Sequence, residues 1–146
     1  MTNFATLRNG AVATLVASGP YSAEQISTCD YGVVERSSGC AIIIHPEEGD
    51  FEPVTFGGQA NVSDKWAVVK FNIENYIQFT GDSQKYLNDV WTAMDDLKTT
   101  YGKDDTLQSS ACFAWLSNIR FNIDEGYEMG GKDWGLVRAT LTIHDL

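Results

Sequence analysis

Residues 65–79 alternate apolar and polar side chains for about 15 positions, and a period of two held this long specifies a β-strand. Ala67, Val69, Phe71, Ile73, Ile77 and Phe79 share one face, which Asn75 alone interrupts. Trp66, Val68, Lys70, Asn72, Glu74, Tyr76 and Gln78 share the other. Strands usually run about five or six residues. At about 3.3 Å per residue this one spans roughly 50 Å, too long for a domain with a radius of gyration near ~15 Å. It must bend, or project beyond the body it belongs to.

Its apolar face needs cover, and two segments read as helices able to supply it. In residues 3–18, Phe4, Leu7, Ala11, Val12, Leu15 and Val16 recur at three- and four-residue spacing, with Thr2 or Asn3 as cap and Gly19-Pro20 as stop. Gly10 weakens that helix by up to about 1 kcal/mol against Ala. In residues 83–101, Leu87, Val90, Trp91, Met94, Leu97 and Tyr101 form one stripe behind a cap at Asp82 or Ser83. Residues 28–45 read as a β-hairpin turning at Ser37-Ser38, with Tyr31, Val33 and Val34 before it and Ala41 to Ile44 after it. Residues 46–64 read as a loop or a short edge strand near Phe51 to Phe56, confined to an edge by Pro53. Residues 112–124 alternate, with Phe113, Trp115, Ile119, Phe121 and Ile123 on one face. Residues 136–144 do the same with Val137, Ala139, Leu141 and Ile143.

The economical packing is a single α+β domain over residues 1–146: a two-layer sandwich of a mostly antiparallel sheet with both helices on one face. The hairpin carries apolar side chains on both sides, since Ile43 points away from Ile42 and Ile44. One helical layer covers only one side. Val33, Val34, Ile42, Ile43 and Ile44 are therefore expected to form part of a contact between subunits. On that reading Ile43→Asp blocks assembly without unfolding the monomer.

Acidic residues number 20 against 10 Lys and Arg, a net charge of −10. Such a balance opposes a phosphate-gripping surface, although Trp66, Tyr76, Arg120 and Lys70 on an outer sheet face could stack bases. No apolar run approaches the ~18 residues that span a bilayer. Cys29, Cys40 and Cys112 are an odd count without a Cys-x-x-Cys pair, and the first residues lack the features of a secretory signal, so no disulfide framework is expected. The thiols read as buried strand residues. His45 and His144 have no second metal ligand at useful spacing. No Gly-x-Ser-x-Gly or P-loop occurs. The paired carboxylates read as a solvated acidic face. The expectation is a protein with no catalytic residue, no metal and no cofactor.

An amphipathic opening helix, a hairpin, a long strand, a helix of the Leu87-Asn88-Asp89-Val90-Trp91 kind and a closing Val137-Arg138-Ala139-Thr140-Leu141-Thr142-Ile143 strand follow one another. That order resembles the small tail terminator or tail completion proteins of long-tailed bacteriophages. The resemblance implies a non-enzymatic virion subunit, made in the host cytoplasm, that forms a homo-oligomeric ring, commonly six-fold, at the head–tail junction. Its partners would be further copies of itself and the neighbouring tail-tube and head-connector proteins, with no membrane involved. DNA would pass through the ring without being held. Some of Asp95, Asp96, Asp104, Asp105, Asp124, Glu125 and Glu128 are then expected to line or border the lumen. Two readings from other classes stand beside this one: a small enzyme or ligand-binding domain with a pocket between sheet and helices, and an acidic adaptor or immunity-like protein with a basic partner.

Overall fold

The Asn3 side chain accepts a hydrogen bond from the Thr6 amide at 2.8 Å and thereby caps α1, Phe4–Ser18. The computed structural model describes residues 3–53, 65–121 and 126–145. A 3₁₀ turn at Ala23–Gln25 leads to β1 (Ile26–Ser27), α2 (Gly32–Arg36), β2 (Cys40–Pro53), β3 (Lys65–Phe79), α3 (Ser83–Lys103), β4 (Phe113–Phe121), β5 (Tyr127–Met129) and β6 (Lys132–Asp145). The sheet order is β1-β2-β3-β6-β4, with β5 beside β6, and only β1 and β2 run parallel. The fold is α+β.

The two long helices lie on one face. Leu7, Ala11 and Leu15 of α1, and Val90, Ala93, Leu97 and Tyr101 of α3, share a core with Ile42, Ile44, Phe71, Ile73, Val137 and Leu141. The Tyr101 hydroxyl donates to the Ala11 carbonyl at 3.0 Å and ties the helices together. Gly10 is a point of close approach, because a Cβ there would sit 2.6 Å from the Ser110 Cβ. Its lost helix propensity is offset by that contact.

The long strand neither stands alone nor protrudes by itself. β3 pairs with β2 from Cys40↔Ile77 to Pro53↔Lys65, and with β6 from Phe79↔Asp133 to Ala67↔Asp145. A register shift between Pro46 and Glu48 supplies the bulge that bends β2. The segment read as a loop after Pro46 is thus a strand as far as Pro53. It runs along the sheet edge, because β1 reaches only Ile42 and Ile43. Residues 54–64 lie outside the described residues.

Residues 28–45 are not a hairpin. Val33 and Val34 belong to α2, and β1 pairs with β2 in parallel. Asp30 explains the helix. Its carboxylate accepts from the Gly32 amide and pairs with Arg36, both at 2.8 Å, which closes one turn locally. The Ser37 hydroxyl finishes the turn by donating to the Val33 carbonyl at 2.6 Å. Adjacent β-branched valines suggest a strand, but these local bonds win.

α2 packs on the sheet face opposite α1 and α3. Val33 and Val34 meet Ala41, Ile43, Tyr76, Trp134 and Leu136 there. The bare second face assumed for the hairpin is therefore covered by the chain itself. Ile42, Ile43, Ile44 and Val34 are fully buried and Val33 almost so. These five residues present no surface to a neighbour.

Tyr86 shows how tightly the start of α3 sits on the sheet. Its ring lies edge-on between Phe79 and Phe121, with centroids at 5.3 and 6.0 Å. A Cβ at Gly135 would overlap its hydroxyl, and the ring could yield only by giving up its edge contacts with Phe79 and Phe121. Gly135→Ala is expected to cost about 1–3 kcal/mol, lowering Tm by roughly 3–10 °C in a chain this size. An unchanged thermal melt would refute the packing.

Candidate functional site

The second sheet face divides into a half covered by α2 and a half without a helix among the described residues, and Glu74 marks the boundary. Glu74 is 5% exposed, yet both carboxylate oxygens are occupied. Tyr31 donates to Oε1 at 3.1 Å, the His45 ring nitrogen Nε2 meets the same oxygen at 2.5 Å, and Tyr76 donates to Oε2 at 2.8 Å. Burial pushes the Tyr76 phenol well above its ordinary value, and the Glu74 carboxylate adds to the effect, so it remains a donor. Directly across the ladder stands Arg138, followed in β4 by Arg120. Arg138 Nε is buried with no hydrogen-bond partner among the described residues. This network satisfies a buried charge; it does not present one to a substrate. Sequence reading took Glu74 as an ordinary polar-face residue, and its place opposite Arg138 becomes visible only with the register.

Beyond Glu74 the same face carries aromatics. Asn118 has φ 56°, and the β4–β6 register shifts between Ser117 and Arg120. The extra residue reverses the alternation along β4. Ala114, Leu116, Ile119 and Phe121 pack towards the helices. Phe113 and Trp115 face the opposite way, so the single face expected for Phe113, Trp115, Ile119 and Phe121 is corrected. Phe113 stacks on Trp115 at 5.5 Å and on His144 at 4.9 Å, and Trp115 lies 5.0 Å from His144. Trp115 is 41% exposed.

A second aromatic surface lies on the helical side. α3 buries Val90, Ala93, Leu97, Thr100 and Tyr101. The stripe is therefore rotated from the one expected, leaving Trp91 66% exposed with Leu87 one turn before it. Leu87 borders a cavity of about 390 Å³ lined also by Phe79, Tyr86 and Trp134. The molecule thus carries two unlike apolar surfaces, one on each side of its sheet.

The candidate acidic residues sit in different local settings. Asp95 is exposed on α3, and Asp96 is half-buried one residue on. Asp104 closes the turn after α3: its carboxylate accepts from Thr106 and Gln108, and these bonds outweigh burial to lower its pKa. That turn holds Leu107, Gln108 and Ser109 at positive φ. Asp105 is exposed beside it. Glu128 is exposed in the β5–β6 hairpin between Tyr127 and Met129, which pack against the α2 cluster, so its own side chain points to the other face. Asp124 and Glu125 lie outside the described residues.

All three cysteines are free thiols, but Cys29 and Cys112 are exposed and only Cys40 is partly buried, so the expected set of buried strand thiols is corrected. Among the described residues no group of three His, Cys, Asp or Glu side chains is placed to hold a metal, and no helix is long and apolar enough to cross a membrane. No protein-family model matches the chain, and no curated protein matches its sequence.

Proposed function

We propose that this chain is a non-enzymatic structural subunit that assembles head to tail into a closed ring, as a terminator or completion protein of a long bacteriophage tail. The supporting observation is the pair of unlike aromatic surfaces on opposite sides of the sheet, around Trp91 and around Trp115. A two-fold dimer would use one surface twice, whereas two different surfaces that fit each other generate a ring when the rotation closes. Exposed tryptophans are also the residues most often found anchoring interfaces. The occupant of each surface is a second copy of this chain. A net charge of −10 on every subunit suits a ring that lets DNA pass, and among the described residues the exposed Asp95, Asp105 and Glu128 are candidates to border its lumen. The ring would sit in the virion, between tail-tube and head-connector proteins.

Complementation tests the head-to-tail geometry. Wild-type protein at about 100 µM, well above a micromolar Kd, should run as one closed oligomer by native mass spectrometry and negative-stain microscopy. Trp91→Glu and Trp115→Glu should each be monomeric and folded. An equal mixture of the two should give a heterodimer, because each variant keeps the surface that the other lacks. A monomeric wild-type protein, or variants that stay monomeric when mixed, would overturn the reading. In a gel shift at low salt the isolated protein should leave DNA unretarded.

A further inference from the structure

On the helical side of the sheet, between α3 and the segment after α1, lies a cleft of about 290 Å³. Three polar side chains meet at its floor. Asn75, fully buried in the central strand, accepts the Cys40 thiol at 3.0 Å through Oδ1. Its Nδ2 is left with no hydrogen-bond partner among the described residues, and so is the hydroxyl of Tyr21, which is 7% exposed. The Asn75 amide lies within hydrogen-bonding reach of the Tyr21 oxygen and opposes the rise that burial gives this phenol, but such a contact leaves the Tyr21 hydroxyl proton and a second Nδ2 hydrogen without an acceptor. Buried donors are seldom left unmade, because each costs about 1–3 kcal/mol. Two of them lining one cleft point to an acceptor supplied from outside.

The mouth has the opposite character. Asp89 and Asp96 project from one side of α3, and no Lys, Arg or His lines the cleft. Asp89 already pairs with Lys85 at 2.7 Å. Asp96 makes no ion pair among the described residues; burial and then Asp95 raise its pKa, with the more distant Lys103 opposing them only in part. Ile77, Ala93 and the Tyr21 ring supply apolar wall between mouth and floor. The Cys40 thiol is no nucleophile, since burial and then the Asp96 charge push it up to about 12.

We infer that this cleft binds a small organic cation of about ten heavy atoms, with its ammonium group at Asp96 and a hydroxyl or carbonyl oxygen at Asn75 and Tyr21. The size follows from a volume at the lower limit of ligand sites. The ammonium supplies the direct ion-pair partner that Asp96 lacks, and the oxygen accepts from the unmet donors. None of the residues around Trp91 and Trp115 that form the two aromatic surfaces lines this cleft.

Tyramine and 4-hydroxyphenylacetate are suitable probes, because they match in size and carry opposite charges. Saturation-transfer difference NMR on the full chain reads weak binding whatever the oligomeric state. Tyramine should bind with a Kd on the order of millimolar or tighter, and 4-hydroxyphenylacetate should give no signal. Asp96→Asn should weaken tyramine by at least about fivefold, as expected for loss of one partly exposed charge pair. Thr92→Arg provides a second route if that variant folds poorly: Thr92 is exposed, and an arginine one turn before Asp96 brings an internal cation to the mouth. It should abolish tyramine binding while leaving the native mass unchanged. Equal signals from both probes, tyramine binding unaltered by both substitutions, or no binding at all (a buried water only) would overturn the inference.

Discussion

Ile43→Asp should leave the chain unable to fold, not merely unable to assemble. Ile43 is fully buried, pairs across the ladders with Ser27 and Glu74, and packs under Val33 and Val34. Removing a buried isoleucine side chain typically costs about 2–5 kcal/mol. The introduced carboxylate would also lie directly opposite Glu74, where like charges repel and each buried ion carries a desolvation penalty of several kcal/mol. The total rivals the roughly 5–15 kcal/mol that holds a domain together. Circular dichroism should show no cooperative melt, while Ile43→Val should lose only about 0.5–1.5 kcal/mol. A folded, monomeric Ile43→Asp protein would restore the idea that this face is bare until a neighbour covers it.

Glu74→Ala should be the most damaging change at a polar position. It removes the acceptor for Tyr31, Tyr76 and His45 at once, and takes away the carboxylate facing Arg138 across the ladder. Tyr76 is only 4% exposed, so its hydroxyl would be stranded. Breaking one partner out of such a buried network costs about 3 kcal/mol or more. Glu74→Gln keeps one acceptor oxygen and should lose about half as much. Urea denaturation distinguishes the pair, and equal stabilities for wild type and Glu74→Ala would show that the network contributes nothing.

Much of this architecture was legible wherever one periodicity ran uninterrupted. β3 and α1 fall where the alternation and the helical stripe put them, and Asn75 stood out as the single polar residue on an apolar face. The failures share a cause: one local event reset the pattern. At Asn118 a left-handed residue adds one position to β4, so Phe113 and Trp115 face away from Ile119 and Phe121. Asparagine tolerates that conformation better than most residues, which is the only trace the bulge leaves in the sequence. At Asp30 a side-chain bond to Gly32 and an ion pair with Arg36 turn two β-branched valines into a helix. The exposure of Trp91 depends on the angle at which α3 meets the sheet, and no spacing within the helix encodes that. The cleft at Asn75 draws on residues from both helical and strand segments far apart in sequence, so only the tertiary fold assembles it.

The placement of β6 between β3 and β4 governs how the chain can reach this state. Residues 67 and 145 are ladder partners, so the centre of the sheet closes over one of the longest loops the chain contains. Loop closure must precede the contacts that reward it, and a topology of this kind folds slowly for its size. Before β6 inserts, the inner edges of β3 and β4 are open strands with apolar faces. Any state that lacks β6 is therefore the one most exposed to edge-to-edge aggregation. The vulnerable moment in the life of this protein is therefore the wait for a single strand to arrive at the middle of the sheet.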